Sequence, residues 1–259
     1  MKNSYAYMVS LTLLITLSNA SWGEESSRVP QLGERIAEFQ SQRPESDPQR
    51  RAVMEKAAAD LARAMPAPGL PAGSPAPDFA LPDALGNPVR LHDLLAQGPV
   101  VLVFYRGAWC PYCNLQLHAL KESLPHIQRY GARLVAVTPQ MPDRSRRQIE
   151  KDAYPFAILS DLDNRVMRAY NLYFELPEEL RRLYIEDFDL DIADYNGEGR
   201  YGLPVPGTFI IDRDGVIRAA YADTDYTRRM EPAAIIEALS DIAGTSGSAA
   251  AGAHSTQSP

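Results

Sequence analysis

The sequence predicts a mixed α/β fold, a central mixed β-sheet flanked by helices, with a helical extension at the N-terminal side. Three observations predict it. Apolar runs of four to six residues alternate with segments of helical periodicity. The last two runs are joined by a tight turn at Asp214-Gly215, so the sheet ends in an antiparallel hairpin. The stretch ahead of residue 73 carries helical periodicity and no strand-like run.

Taken in order, residues 1–23 read as a secretory signal peptide. Lys2 supplies a positive start, residues 8–17 are apolar and uncharged, and Ser18-Asn19-Ala20 or Ser21-Trp22-Gly23 offers small residues for cleavage. The apolar run is shorter than the roughly 20 residues a membrane span needs. No cysteine follows it to carry a lipid. The expectation is a periplasmic or secreted protein with no stable membrane insertion once the signal is removed.

Residues 24–72 form the extension and a linker. Helices are expected over 32–39 and 51–65. The second has a stripe of Val53, Met54, Ala57, Ala58, Leu61 and Ala62 opposite its charges. Pro66 to Gly73 is too rich in Pro and Gly for regular structure. Periodicity does not say whether these helices pack on the domain or face a partner.

Residues 73–243 make the main domain. A hairpin over 81–91 turns at Gly86-Asn87. Strands follow over 100–105, 133–138 and 156–159, with helices over 115–130, 144–152 and 164–170 between and after them. Residues 173–201 interrupt this rhythm. They are polar, acidic and aromatic, and read as a solvated insertion. Strands over 208–212 and 216–221 and a helix over 232–242 complete the domain. Residues 244–259 are Gly-, Ala- and Ser-rich with no apolar pattern, and read as a disordered tail.

The chain has 259 residues, 45% hydrophobic and 23% charged, which fits one main globular domain. Its formal charge of −7 argues against nucleic acid as a partner. A chain of this length with two cysteines is not a disulfide scaffold, a class that is small and cysteine-dense. The two are therefore candidates for chemistry.

They are Cys110 and Cys113, in the run Trp109-Cys110-Pro111-Tyr112-Cys113. The pair sits where a buried strand hands over to a helix. Unpaired N–H groups and the positive end of the helix dipole stabilise a thiolate there. A thiolate is a nucleophile toward disulfides and peroxides. Pro111 suits the first helical turn, where a missing N–H costs nothing. An inert disulfide is one alternative, and half of a zinc site another. With four histidines and no second cysteine pair, the expectation is neither metal nor cofactor. His118 and His126 lie at least a turn beyond Cys113, too far along the helix for proton transfer at the sulfurs.

The order of elements around this motif resembles the thioredoxin fold. Gly73-Ser74-Pro75-Ala76-Pro77-Asp78-Phe79 is similar to the opening segment of peroxiredoxins. The Pro-Tyr pair between the cysteines is similar to that of glutaredoxins. Val205-Pro206-Gly207-Thr208-Phe209 resembles the cis-proline loop and following strand of the superfamily. With Val137-Thr138-Pro139-Gln140 and Leu159-Ser160-Asp161, the chain resembles the alkyl hydroperoxide reductase/thiol-specific antioxidant group over residues 73–242. The resemblance implies a cis Pro206 facing the sulfurs, and substrate-orienting roles are expected for Trp109, Pro206 and Thr208, with Arg106 as a candidate guanidinium beside them. It also implies a hydroperoxide substrate, a thioredoxin-like dithiol donor, and a capacity to form oligomers.

Peroxiredoxins carry Pro-x-x-x-Thr-x-x-Cys. Matching the strand before it puts Cys113 on the peroxidatic cysteine, Cys110 on the threonine and Arg106 on the proline. Pro206 stands where the family has a peroxide-steadying arginine. The dithiol apparatus is complete and the peroxide apparatus partial, so turnover is expected to be modest. In a thioredoxin-type cycle Cys110 is the exposed attacking thiolate and Cys113 resolves. The sequence leaves open which sulfur attacks first. The leading reading is an exported peroxiredoxin-like thiol oxidoreductase acting through Cys110 and Cys113. A periplasmic reductase of protein disulfides is the second. A redox-switched binding module using the N-terminal helices is the third.

Overall fold

Residues 100–104 alternate between two cores. Val101 and Val103 face one side with Tyr105, while Val100, Leu102 and Phe104 face the other, all without solvent exposure. A strand buried on both faces reads as a continuous apolar run, and this one is the centre of the sheet.

The computed structural model describes residues 29–45 and 47–252. The signal-peptide expectation for residues 1–23 lies outside the described residues. In chain order the elements are α1 (Leu32–Ser41), α2 (Pro48–Ala64), β1 (Ala80–Pro82), β2 (Pro88–Arg90), α3 (Leu91–Leu95) and β3 (Val100–Phe104). Next come α4 (Pro111–Gln128), β4 (Arg133–Thr138), α5 (Pro142–Asp152), β5 (Ala157–Ser160), α6 (Arg165–Ala169) and β6 (Tyr173–Glu175). The chain continues with α7 (Glu178–Phe188), α8 (Ala193–Asn196), β7 (Gly202–Pro204), β8 (Gly207–Ile211), β9 (Ile217–Ala222) and α9 (Pro232–Gly252).

The main sheet has the order β5-β4-β3-β8-β9. β3 pairs parallel with β4, Val101 opposite Leu134, and β4 pairs parallel with β5. β8 runs antiparallel to β3, Val103 opposite Thr208, and β9 antiparallel to β8. The helical crossovers cover both faces. On one side Leu117, Leu120 and Ile127 of α4 pack with Ile235 and Leu239 of α9. On the other, Phe104 meets the Tyr170 ring at 5.0 Å and the Phe209 ring edge-on at 5.9 Å. Edge-to-face geometry suits the quadrupoles of such rings.

Both N-terminal helices pack on the domain. α1 buries Leu32 and Ile36 in the core beside α4, and Arg35 pairs with Glu122 at 2.6 Å. Its first turn is capped from a distance, because the Glu231 carboxylate accepts from Leu32 N at 2.9 Å and Gly33 N at 2.7 Å. α2 lies against α7 through Arg50–Asp187 at 2.8 Å and Lys56–Glu179 at 3.3 Å, and has no fully buried residue.

Two expectations are corrected. Residues 173–201 are not a solvated insertion. They build β6, α7 and α8, β6 pairs with β7, and Leu176, Leu183, Tyr184, Ile192 and Leu203 form a small core. Their acidic composition hides apolar residues at helical spacing, Leu180, Leu183 and Tyr184. The expected tail is also shorter, because α9 continues to Gly252. Its alanines favour helix strongly enough to carry Gly244 and Gly247 in its interior. Residues 253–259 of that tail lie outside the described residues. Among the described residues no helix is long and apolar enough to cross a membrane.

Candidate active site

β3 ends at Phe104 and α4 begins at Pro111, and the six residues between them set the site. Cys110 is the N-cap residue of α4, with extended backbone at φ −87° and ψ 112°. It offers no side-chain cap, so the helix's first N–H groups face the sulfur region unpaired by it. Gly107 adopts φ 151°. A Cβ there would lie 2.5 Å from the Trp109 indole nitrogen, so glycine is what lets Trp109 fold back over the loop.

Both cysteines are free thiols and both are fully buried. The expectation of an exposed Cys110 is therefore corrected, because Arg106 lies against its sulfur and the residue sits in the core cluster on which Trp109 and Tyr226 pack. Cys113 donates to Cys110 Sγ at 2.8 Å, and Arg106 Nη2 donates to the same sulfur at 3.2 Å. Arg229 Nη2 approaches Cys113 Sγ at 3.6 Å. The two sulfurs thus differ in electrostatic setting. Burial opposes ionisation of Cys110, but the Cys113 thiol and the Arg106 and Arg229 charges outweigh it and hold Cys110 well below the ordinary thiol value. Burial and the neighbouring Cys110 sulfur push Cys113 well above that value.

Arg106 is held by aromatic faces. Its guanidinium carbon lies 4.1 Å from the Tyr226 ring centroid and 5.1 Å from that of Trp109. Burial pushes the Tyr226 phenol up to about 12, so that ring stays neutral. Trp109 in turn meets Tyr184 of α7 at 6.0 Å, which ties residues 173–201 to the cysteine loop.

A polar network fixes the loop from beneath. Gln140 Oε1 accepts from Ala108 N at 3.0 Å, and Gln140 Nε2 donates to Tyr105 Oη at 3.2 Å and Ser145 Oγ at 3.1 Å. Tyr105 Oη donates to Gln148 Oε1 at 2.8 Å. Gln148 then donates to Asn114 at 3.0 Å, and Asn114 to the Ala108 carbonyl at 2.8 Å.

Of the residues predicted from sequence, Cys110, Cys113, Arg106 and Trp109 come together at the site. Thr208 reaches it indirectly. It is buried on β8 and accepts from Gln116 Nε2 at 3.3 Å, while Gln116 Oε1 accepts from Arg229 Nε at 2.9 Å. Pro206 is buried one residue before the register partner of Phe104, but the described residues contain no cis peptide bond. The cis expectation is corrected. Pairing of β7 with β6, extended by Val205 N to Leu172 O at 2.7 Å, brings the chain into β8 along an extended trans path. His118 is remote, 3.8 Å from Asp152 on the helix surface.

Sequence reasoning missed Arg229, Gln116, Tyr184 and Tyr226. Arg229, Tyr184 and Tyr226 arrive from elements distant in the chain, and Gln116, on α4 itself, is marked only by its long-range partners Thr208 and Arg229. Among the described residues no group of three His, Cys, Asp or Glu could hold a metal ion.

A thioredoxin-type sheet with a buried, asymmetric dithiol at a helix N-terminus defines a thiol oxidoreductase. A sequence model of the AhpC/TSA family matches residues 72–220, and the chain belongs to that family. It is similar to peroxiredoxin Bcp of Escherichia coli, 35% identical over 107 residues, 41% of this chain and 67% of that protein. It is also similar to a putative peroxiredoxin of Mycobacterium tuberculosis, 30% identical over 148 residues, 57% of this chain and 82% of the relative. The thiol-disulfide oxidoreductase ResA of Geobacillus kaustophilus is 27% identical over 164 residues, 61% of this chain and 76% of that protein. Among solved structures, peroxidoxin BcpB of Mycobacterium tuberculosis superposes with a TM-score of 0.53 at 22% identity, over 68% of this chain and 97% of that one. That likeness shows the fold. The chain is thus a peroxiredoxin-like, thiol-dependent peroxidase by family.

Proposed function

We propose that the chain reduces hydroperoxides with Cys110 as the attacking thiolate and Cys113 as the resolving thiol. The observation that carries this is the asymmetry of the pair, with Cys110 Sγ accepting from both Cys113 and Arg106. The thiolate attacks one peroxide oxygen and the O–O bond breaks. Cys110 becomes a sulfenic acid, and the departing alkoxide or hydroxide takes a proton to leave as alcohol or water. Sulfur loses two electrons and the O–O bond gains them. Cys113 then attacks the sulfenic sulfur, an S–S bond forms, and water departs. An external thioredoxin-like dithiol reduces the disulfide and restores both thiols. Arg106 and Arg229 supply positive charge where oxygen charge develops, the role the family arginine would otherwise fill. The leader-like residues 1–23 support a periplasmic or secreted location for this work.

The likeness to ResA favours a second reading, reduction of protein disulfides through the same pair. The AhpC/TSA match and the higher identity to peroxiredoxin Bcp favour the first.

Mass spectrometry after one equivalent of hydrogen peroxide tests the assignment. The Cys113→Ser protein is expected to accumulate a sulfenic acid at Cys110, and the Cys110→Ser protein none at Cys113. Rapid insulin reduction without peroxide loss in the wild type would move the assignment to the disulfide reductase.

A further inference from the structure

Arg229 brings to Cys113 a charge that no carboxylate neutralises. Its Nη2 lies 3.6 Å from Cys113 Sγ, its Nε donates to Gln116 Oε1 at 2.9 Å, and its Nη1 donates to the Tyr226 and Arg228 carbonyls. Apart from the sulfur these partners are neutral, and among the described residues no acid forms an ion pair with Arg229. Yet the loop that carries it is rich in acids. Asp223 and Asp225 pair with Arg228 at 3.6 Å and 3.3 Å. Glu231, two residues beyond Arg229, gives both carboxylate oxygens to α1, accepting from Leu32 N at 2.9 Å and Gly33 N at 2.7 Å. Each acid is thus engaged elsewhere, and Arg229 is left to the sulfur. The unpaired N–H groups and positive dipole end of a helix N-terminus stabilise a carboxylate in this position. Two residues of chain span at most about 7 Å, so a Glu231 released from α1 comes within reach of the Arg229 guanidinium and competes with the sulfur for it. α1, Arg229 and Glu231 all lie outside residues 72–220, the segment matched to the family.

We propose that Glu231 is a positioning residue for the dithiol: held at the N-terminus of α1, its carboxylate is kept off Arg229, and the Arg229 charge is thereby kept on Cys113. The N-terminal helix acts on the second thiol without touching it. The proposal rests on Cys113 being a reacting thiol, as assigned above, and not on which oxidant the pair meets.

The pH profile of iodoacetamide alkylation at Cys113, followed in the full chain carrying Cys110→Ser, tests this without any peroxide. The other groups that act on Cys113, Arg106 and the Tyr105 and Tyr154 phenols, are the same in every variant. Arg229→Gln sets the scale. It should raise the midpoint by about one pH unit or more, as loss of an opposite charge within ~4–6 Å does. Gly33→Ala puts a Cβ 2.9 Å from Glu231 Oε1, closer than such contacts occur, and so turns the carboxylate away from α1. It is expected to shift the midpoint in the same direction. Adding Glu231→Gln to Gly33→Ala should return the midpoint to that of Cys110→Ser alone, because an amide carries no charge to set against Arg229. Glu231→Asp, one methylene too short for α1 and still charged, should act like Gly33→Ala, and decides the matter if Gly33→Ala fails to fold. A purely structural cap predicts no such rescue. An unshifted midpoint in Gly33→Ala and Glu231→Asp, or a Gly33→Ala shift that Glu231→Gln leaves in place, overturns the proposal. The expected midpoints in a chain that turns over no peroxide would sink the peroxidase reading and leave the role of Glu231 standing.

Discussion

Arg106 Nη2 donates to Cys110 Sγ at 3.2 Å, while the Tyr226 ring lies 4.1 Å from the same guanidinium. The contact places a fixed positive charge against one sulfur of the pair and leaves the other to Arg229, which stands off at 3.6 Å. In a buried site this difference decides which thiol ionises, because little water is present to screen it.

Replacing Arg106 should therefore quench Cys110. A hydrogen bond to a charged group contributes roughly 1.5–3 kcal/mol, equivalent to about a ten- to hundredfold change in thiolate population. Arg106→Gln is expected to slow iodoacetamide alkylation of Cys110 at pH 7 by that factor, with far-UV circular dichroism unchanged. An alkylation rate equal to that of the wild type would remove Arg106 from the account.

The two sulfurs also make stability of the reduced chain depend on pH, with opposite signs. Cys110 has a lowered folded value, so its contribution is full above the unfolded thiol value near ~8.5 and is lost as pH falls through the folded one. Cys113 has a raised folded value, so its contribution is present below ~8.5 and is lost as pH rises through the folded one. The paired contribution should peak near ~8.5. Urea midpoints of the reduced wild type and of Cys110→Ser, taken from pH 6 to 10, check this. The difference between them should widen toward ~8.5 from the acid side, and a pH-independent difference would contradict it.

Gln140 should be the most sensitive polar residue beneath the site. Gln140→Leu strips partners from Ala108 N and Ser145 Oγ, at about 1–3 kcal/mol for each group left unpaired. A loss of roughly 2–4 kcal/mol is expected, read as a lower urea midpoint at constant slope. A change under about 0.5 kcal/mol, the range of ordinary surface substitutions, would mean that the loop stands without it.

The main-sheet strands, the hairpin and the helices between residues 111 and 170 were legible because each has its own periodicity, while α3, a five-residue helix at Leu91–Leu95, was too short to show one. Val100 to Phe104 could only be a strand buried on both faces, and Cys110-Pro111 could only suit a helix start. The order of these elements was enough to specify the sheet, since parallel strands joined by helical crossovers have few arrangements. Residues 173–201 were misread because charge dominates their composition while the apolar positions that fold them are few. The trans Pro206 was misread for a related reason. Local sequence carries the proline, but the β6–β7 ladder that sets its approach is a long-range pairing.

The sequence by itself determined the fold class, the two sulfurs and their place at the head of a helix, because these depend on local pattern and on spacing of three residues. Only the tertiary structure decided which cations stand against which sulfur. That choice depends on Arg106 turning back toward Cys110, on Arg229 arriving from 116 residues away in the chain, and on the Tyr226 and Trp109 rings that hold Arg106 in place. Electrostatic energy falls with distance in space and is strengthened by burial, and neither quantity is written in the order of the residues.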